Sequence, residues 1–147
     1  MEKRLEQKGI ITHFDENAFD LKLRTDQNKF EGGLNVRKSL DYLMNAGIEG
    51  YKIKSYSSMR PFNTKLIREM LFYNPLLALI QTYSDAKRVE NGSYKIGQVK
   101  KVTHLLCVFG FDHGNFLMLD SSFPDVMYKM KEIDFSVIVK RVYDLTI

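Results

Sequence analysis

The strongest constraint on the fold lies late in the chain. Two apolar runs, Val102 to Phe111 and Phe116 to Asp120, flank the loop tripeptide Asp112-His113-Gly114. Strand-forming runs around a short turn specify a β-hairpin. Glycine at the third loop position predicts a three-residue loop, a type I turn closed by a left-handed residue. In that register Phe111 faces Asn115, Leu106 faces Asp120 and His104 faces Ser122. His104 and Asp120 then share a face of the sheet as diagonal neighbours, about 7 Å apart between backbones. A two-residue loop would put them on opposite faces. A carboxylate beside an imidazole fixes its tautomer, orients the ring and stabilises the imidazolium during proton transfer. Spacing alone also allows a strand-end histidine satisfied by another acceptor.

The same strand carries the chain's one cysteine, Cys107. It stands three residues from His104 and so points to the other face. Among Leu105, Leu106, Val108 and Phe109 it reads as a buried, unreactive thiol. A single cysteine excludes an internal disulfide and a multi-cysteine zinc module. No cofactor is expected. A metal site built from His104, Asp120 and His113 is disfavoured, because His113 sits at the hairpin tip.

The remaining elements follow from periodicity. Gly9 to Phe14 and Ala18 to Arg24 are predicted as two short strands around Asp15, Glu16 and Asn17, since Phe19, Leu21 and Leu23 alternate with polar residues. Val36, Leu40, Leu43 and Met44 form a helical stripe, with Asn35 to cap it and Gly47 to end it. Gly50 to Tyr56 reads as an edge strand. Asn63 caps a predicted helix Thr64 to Tyr73, with Leu66, Met70 and Tyr73 as its core stripe and Phe72 off it, a candidate surface contact. Pro75 disfavours helical geometry at Asn74, and Leu76 to Ile80 then reads as a buried strand. Ser84 to Gly97 is a polar excursion, Phe123 to Asp134 is mixed with a possible helical turn, and Phe135 to Tyr143 reads as a final strand. Helices early and antiparallel strands late predict an α+β fold.

A chain of 147 residues forms one domain. Its net charge of +4 comes from 22 basic and 18 acidic residues that are interleaved, with no concentrated stripe. Nucleic-acid binding is therefore disfavoured. The charged start, Met1 to Lys8, lacks the apolar core of a signal peptide, and no apolar run reaches membrane-spanning length. A cytoplasmic location is the expectation.

The stretch Thr103-His104-Leu105-Leu106-Cys107-Val108-Phe109-Gly110-Phe111-Asp112, followed by Phe116-Leu117-Met118-Leu119-Asp120-Ser121-Ser122, resembles the second half of the papain-like cysteine peptidases, in particular their C39-like branch. That pattern has a histidine opening an apolar strand, a Gly-x-Asp turn and an aspartate closing the next strand. Gly32-Gly33 before the Val36 helix, Asn74-Pro75 before Leu76 to Ile80, and the closing strand agree in order. The resemblance runs from about Gly32 to the C-terminus. It implies one papain-like domain over 1–147 with a shortened N-terminal part, early helices packed on a late sheet, His104 as general base and Asp120 as its orienting partner.

The family's nucleophile is a cysteine at the start of an N-terminal helix, after a glutamine that lines the oxyanion hole. Here Gln7 precedes Gly9 with no thiol after it, and Thr12 is the only hydroxyl near that place. Two readings follow. The first is a catalytically degenerate papain-like domain that binds a protein or peptide. The second is a hydrolase that uses His104 and Asp120 with a nucleophile not identified here or supplied from outside.

Overall fold

The computed structural model describes residues 15–48, 50–83, 101–121 and 123–147. The predicted strand at Gly9 to Phe14, the polar excursion at Ser84 to Gly97, and Gln7, Thr12 and Ser122 lie outside the described residues. The chain forms two compact units, Met1–Tyr56 with Leu145–Ile147, and Ser57–Asp144.

In the first unit, helix α1 (Glu16–Gln27) replaces the strand predicted over Ala18 to Arg24. The Asp15 carboxylate accepts from the Ala18 N–H at 2.9 Å and opens the helix. Phe19 and Leu23 stand at i, i+4 and face inward, Leu23 buried and Phe19 against Tyr42, while Leu21 is exposed. Three apolar residues at alternate positions fit both periods. The cap and the packing partner select the helix. Helix α2 (Val36–Asn45) forms as expected, with the Asn35 side chain accepting from the Lys38 N–H and Leu40 and Leu43 buried. Gln27 ties the two helices, donating to Ser39 Oγ and accepting from the Asn35 N–H. Gly47 follows at φ +74°, where a Cβ would lie 2.2 Å from the Tyr51 carbonyl oxygen. Only glycine fits this left-handed close approach.

The second unit is built on a six-stranded sheet of order β1-β6-β2-β3-β4-β5. The strands are β1 (Ser55–Met59), β2 (Leu76–Tyr83), β3 (Lys101–Asp112), β4 (Asn115–Asp120), β5 (Phe123–Lys131) and β6 (Val139–Thr146). The pairings β6–β2, β2–β3, β3–β4 and β4–β5 are antiparallel. Two helices, α3 (Thr64–Leu71) and α4 (Glu132–Ile138), complete it. The fold is α+β, as predicted.

One sheet face carries the core. Ile67 of α3 and Phe135 and Ile138 of α4 cluster there with Ala78, Ile80, Leu106, Val108, Phe116 and Met118. The Phe116 ring lies 4.0 Å from Phe135 and 5.0 Å from Phe111, centroid to centroid. Several boundaries differ from the sequence reading. The edge strand begins at Ser55 instead of Gly50, because Gly47 and Gly50, both at positive φ, keep Ile48 to Tyr51 in a turn closed by its own bridge. Helix α3 is capped by Asn63 but turns Ile67 inward, with Met70 and Leu71 beside it. Leu66 and Tyr73 are exposed, so of the predicted stripe only Met70 packs on the core, with Ile67 and Leu71 in place of the other two. Phe123 to Lys131 is a strand, and the segment predicted as the last strand starts as α4. Its Phe135 and Ile138, at i, i+3, pack as a helical face before the chain extends at Val139.

Candidate functional site

The hairpin closes differently from the sequence prediction. Asp112 pairs with Asn115, so the loop is the two-residue His113-Gly114 and not three residues. Both loop residues adopt positive φ, 46° and 78°, as a type I′ turn requires. By itself this turn would put His104 and Asp120 on opposite faces. A β-bulge restores the alternation. The ladder runs Gly110↔Leu117 and then Val108↔Met118, leaving Phe109 as an extra residue on β3. Beyond it Cys107 pairs with Leu119, so the register returns to the one that sets Leu106 opposite Asp120.

His104 and Asp120 therefore meet. His104 Nε2 lies 2.8 Å from Asp120 Oδ1. The aspartate side chain is fully buried, while the histidine side chain keeps 27% exposure. An ionised carboxylate can only accept hydrogen bonds, so against one Nε2 is the donor, and Nδ1 is the ring nitrogen left to face a substrate. The bond also fixes the ring plane. A histidine held this way can take a proton at Nδ1 from a neighbouring nucleophile, with the carboxylate stabilising the resulting imidazolium.

Two further sheet irregularities adjoin this pair. The β2–β6 register shifts between Leu79 and Ile80, and Ile80 is the β2 partner of His104. The β4–β5 register shifts between Leu119 and Asp120. Bulges beside a site re-aim side chains, and each of these sits at the pair or at its immediate strand neighbour.

Cys107 lies on the sheet face opposite His104, half-buried and paired with Leu77 and Leu119. The structure brings His104 and Asp120 together and keeps the thiol away from both. His113 stands at the hairpin tip, where Nδ1 is 2.7 Å from Asp112 Oδ1. That hydrogen bond, chiefly, holds the Asp112 carboxyl below its ordinary range. Among the described residues no group of three His, Cys, Asp or Glu side chains could hold a metal, and no helix is long and apolar enough to cross a membrane.

Sequence reasoning missed the Phe109 bulge. The available signal was Gly114 directly after a residue able to take positive φ, which suits a two-residue loop. The shared face of His104 and Asp120 then demands one extra residue on a strand.

This α+β fold is papain-like, as the comparison with solved structures shows. Xylellain, a cysteine protease from Xylella fastidiosa, matches with a TM-score of 0.76 at 13% identity, over 98% of this chain and 74% of that one. The peptidase domain of Streptococcus ComA, a bifunctional ABC transporter of a quorum-sensing pathway, matches with a TM-score of 0.59 at 12% identity, over 99% and 85%. The Carica candamarcensis cysteine protease CMS1MS2 matches at 0.61 and 13%, over 78% and 68%. At these identities the likeness is one of fold. No protein-family model and no curated protein matches the sequence.

Proposed function

We propose that this chain is a catalytically degenerate papain-like domain that binds a protein or peptide through the surface where His104 reaches solvent. The observation that carries the reading is the separation of the parts. His104 and Asp120 are bonded on one sheet face, and Cys107, the one cysteine of the sequence, is on the other. A thiolate attack of the cysteine-peptidase kind needs thiol and imidazole within hydrogen-bond reach, and strand geometry denies that to Cys107.

The bonded pair favours a second reading. It is the arrangement of a general base with its orienting partner, and it would serve an acyl transfer whose nucleophile comes from another chain or segment.

One experiment separates the two. The purified chain and its His104→Ala variant are incubated with a peptide and ester library, and products are followed by mass spectrometry. Capture of intact peptide without turnover supports the binding domain. Hydrolysis that falls at least about 100-fold in His104→Ala supports the second reading and sinks the first. Iodoacetamide labelling in the same samples checks the thiol. Cys107 is expected to react no faster at neutral pH than a small-molecule thiol, because it is half-buried between Leu77 and Leu119 on the strand face away from His104.

A further inference from the structure

The outer edge of the sheet offers a surface apart from the His104 site. Strand β5 closes the strand order and, among the described residues, has β4 as its one neighbouring strand. The residues that flank a two-residue turn exchange hydrogen bonds, so Asn115 directs its N–H and C=O toward Asp112. Its β5 partner Lys131 then sits in a pair without hydrogen bonds. The next step along the ladder is bonded, as that alternation requires: the Glu132 N–H donates to the Gly114 carbonyl at 3.0 Å. Lys131, Lys129 and Met127 therefore direct their backbone N–H and C=O away from β4, to the open side. All three residues are exposed.

Two features of this edge say what can pair with it. The first is charge. Asp125 and Lys129 stand two residues to either side of Met127 on one strand. Both are exposed, and among the described residues neither has a hydrogen-bond or ion-pair partner. Lys129 adds only a pull on Asp112 weaker than that of His113. An antiparallel copy of the strand centred on Met127 sets each Asp125 opposite the partner's Lys129. A copy centred on Asp125 or on Lys129 sets like charges opposite each other, which is destabilising. The second feature is a row of side chains. Leu77, Cys107, Leu119 and Met127 are successive cross-strand partners on the face away from His104. The first three are half-buried, and Met127, at the edge, is 45% exposed. A two-fold axis at Met127 continues this apolar row into the partner's Met127 and Leu119.

We infer that two copies of this chain pair β5 to β5, antiparallel, about a two-fold axis at Met127, with Asp125 of each copy against the partner's Lys129. The contact is isologous: the same patch serves both subunits, and each ion pair occurs twice. The outward N–H and C=O groups of Met127 and Lys129 supply the main-chain hydrogen bonds of strand addition. The charges fix the register. Lysines on an edge strand oppose indiscriminate pairing, and the register centred on Met127 gives Lys129 a carboxylate. Four strands join into a continuous sheet at β4–β5 and its copy. One strand pair is a small interface, so the dimer is weak, with a dissociation constant of about 10–500 µM. The His104 surface takes no part in this contact, and the proposal stands whether or not that surface binds or turns over anything.

The test is sedimentation equilibrium of the full chain over a concentration series. A reversible monomer–dimer equilibrium is expected. Asp125→Lys and Lys129→Asp, both at exposed positions, should each weaken the dimer at least about tenfold, because each places like charges opposite one another twice. The double variant should return to within about threefold of the parent chain. An equal mixture of the two single variants should form a heterodimer tighter than either homodimer, since both of its charge pairs are then complementary. Met127→Pro removes the N–H on the axis and should abolish the dimer, while circular dichroism shows the monomer fold intact, because an edge strand tolerates proline where its N–H faces solvent. The proposal is overturned by a chain that stays monomeric up to about 1 mM, or by a dimer indifferent to Asp125→Lys and to Met127→Pro. Rescue of Asp125→Lys by Lys131→Asp instead of Lys129→Asp would overturn the register. A dimer lost in His104→Ala but kept in Asp125→Lys would move the contact to the His104 surface and overturn it as well.

Discussion

At the scale of single residues, the candidate site centres on one hydrogen bond. Asp120 is fully buried and His104 partly so, 2.8 Å apart. Removing the donor leaves a buried carboxylate oxygen without that bond, so His104→Ala should cost about 1–3 kcal/mol of stability, read from denaturant melts. Asp120→Ala has a different signature. The imidazole loses the acceptor that selects its tautomer, and its nitrogen NMR shifts should move from a single Nε2–H form toward a mixture. A ring that keeps one tautomer in Asp120→Ala would show that something other than Asp120 orients it. The hairpin tip gives a second residue-scale outcome. Asp112, bonded to His113, should titrate below the ordinary carboxylate value of 3.8. A carboxyl depressed in the folded state contributes stability that is complete above its unfolded pKa and lost as pH falls through the folded one. The loss therefore belongs to strongly acidic solution. Both side chains are solvent-exposed, so the effect on global unfolding should be small. Carboxyl-carbon NMR titration reads it directly, and a midpoint at or above 3.8 would refute it.

At the scale of elements, the β3–β4 hairpin combines two devices that must agree. The two-residue turn shifts the alternation by one position, and the Phe109 bulge shifts it back. His113 holds φ 46° in the turn, a conformation that asparagine adopts with less cost. His113→Asn should therefore stabilise the hairpin by about 0.5 kcal/mol, since the exposed side-chain contact it removes is worth little. A lower melting temperature would show that the Asp112 contact outweighs the backbone gain. Deleting Phe109 gives a sharper check on the register. Val108 would then precede Gly110 directly and still face Met118, so the His104–Asp120 bond should survive while the bulge disappears. Loss of that bond in the deletion variant would mean the bulge does more than correct the alternation. Gly47 belongs at this scale too. Its positive φ and the nearby Tyr51 carbonyl make the turn after α2 intolerant of any side chain.

At the scale of the whole molecule, the sheet unit holds together through a few large rings. Phe116 lies between Phe111 on the hairpin and Phe135 on α4. Phe116→Ala should cost about 3–5 kcal/mol, a large share of the roughly 5–15 kcal/mol available to a domain. Denaturant unfolding should show it as a lower midpoint with unchanged slope. A cost below about 1 kcal/mol would mean that the rings repack around the gap. The sequence was legible where local signals agreed: Pro75 before an apolar run marked Leu76 to Ile80 as a buried strand, and Asn35 and Asn63 stood where helix caps belong. It was ambiguous where two periods fitted. Phe19, Leu21 and Leu23 suit a strand or a helix, and Tyr42 across the helix pair chose the helix. Phe135 to Ile138 suits both as well, and the sheet face it covers chose α4.

The sequence by itself determined the α+β class and the hairpin, because alternation and turn residues act between near neighbours, and it offered the meeting of His104 and Asp120 as one of two outcomes. It also pointed to Cys107 facing away from His104, since three steps along a strand reverse the face where no bulge intervenes. Only the tertiary structure decided how that hairpin closes. A two-residue turn with a bulge and a three-residue turn without one give the same face to His104 and Asp120. The choice between them depends on packing Val108 and Phe111 on the same core face, which no local pattern encodes.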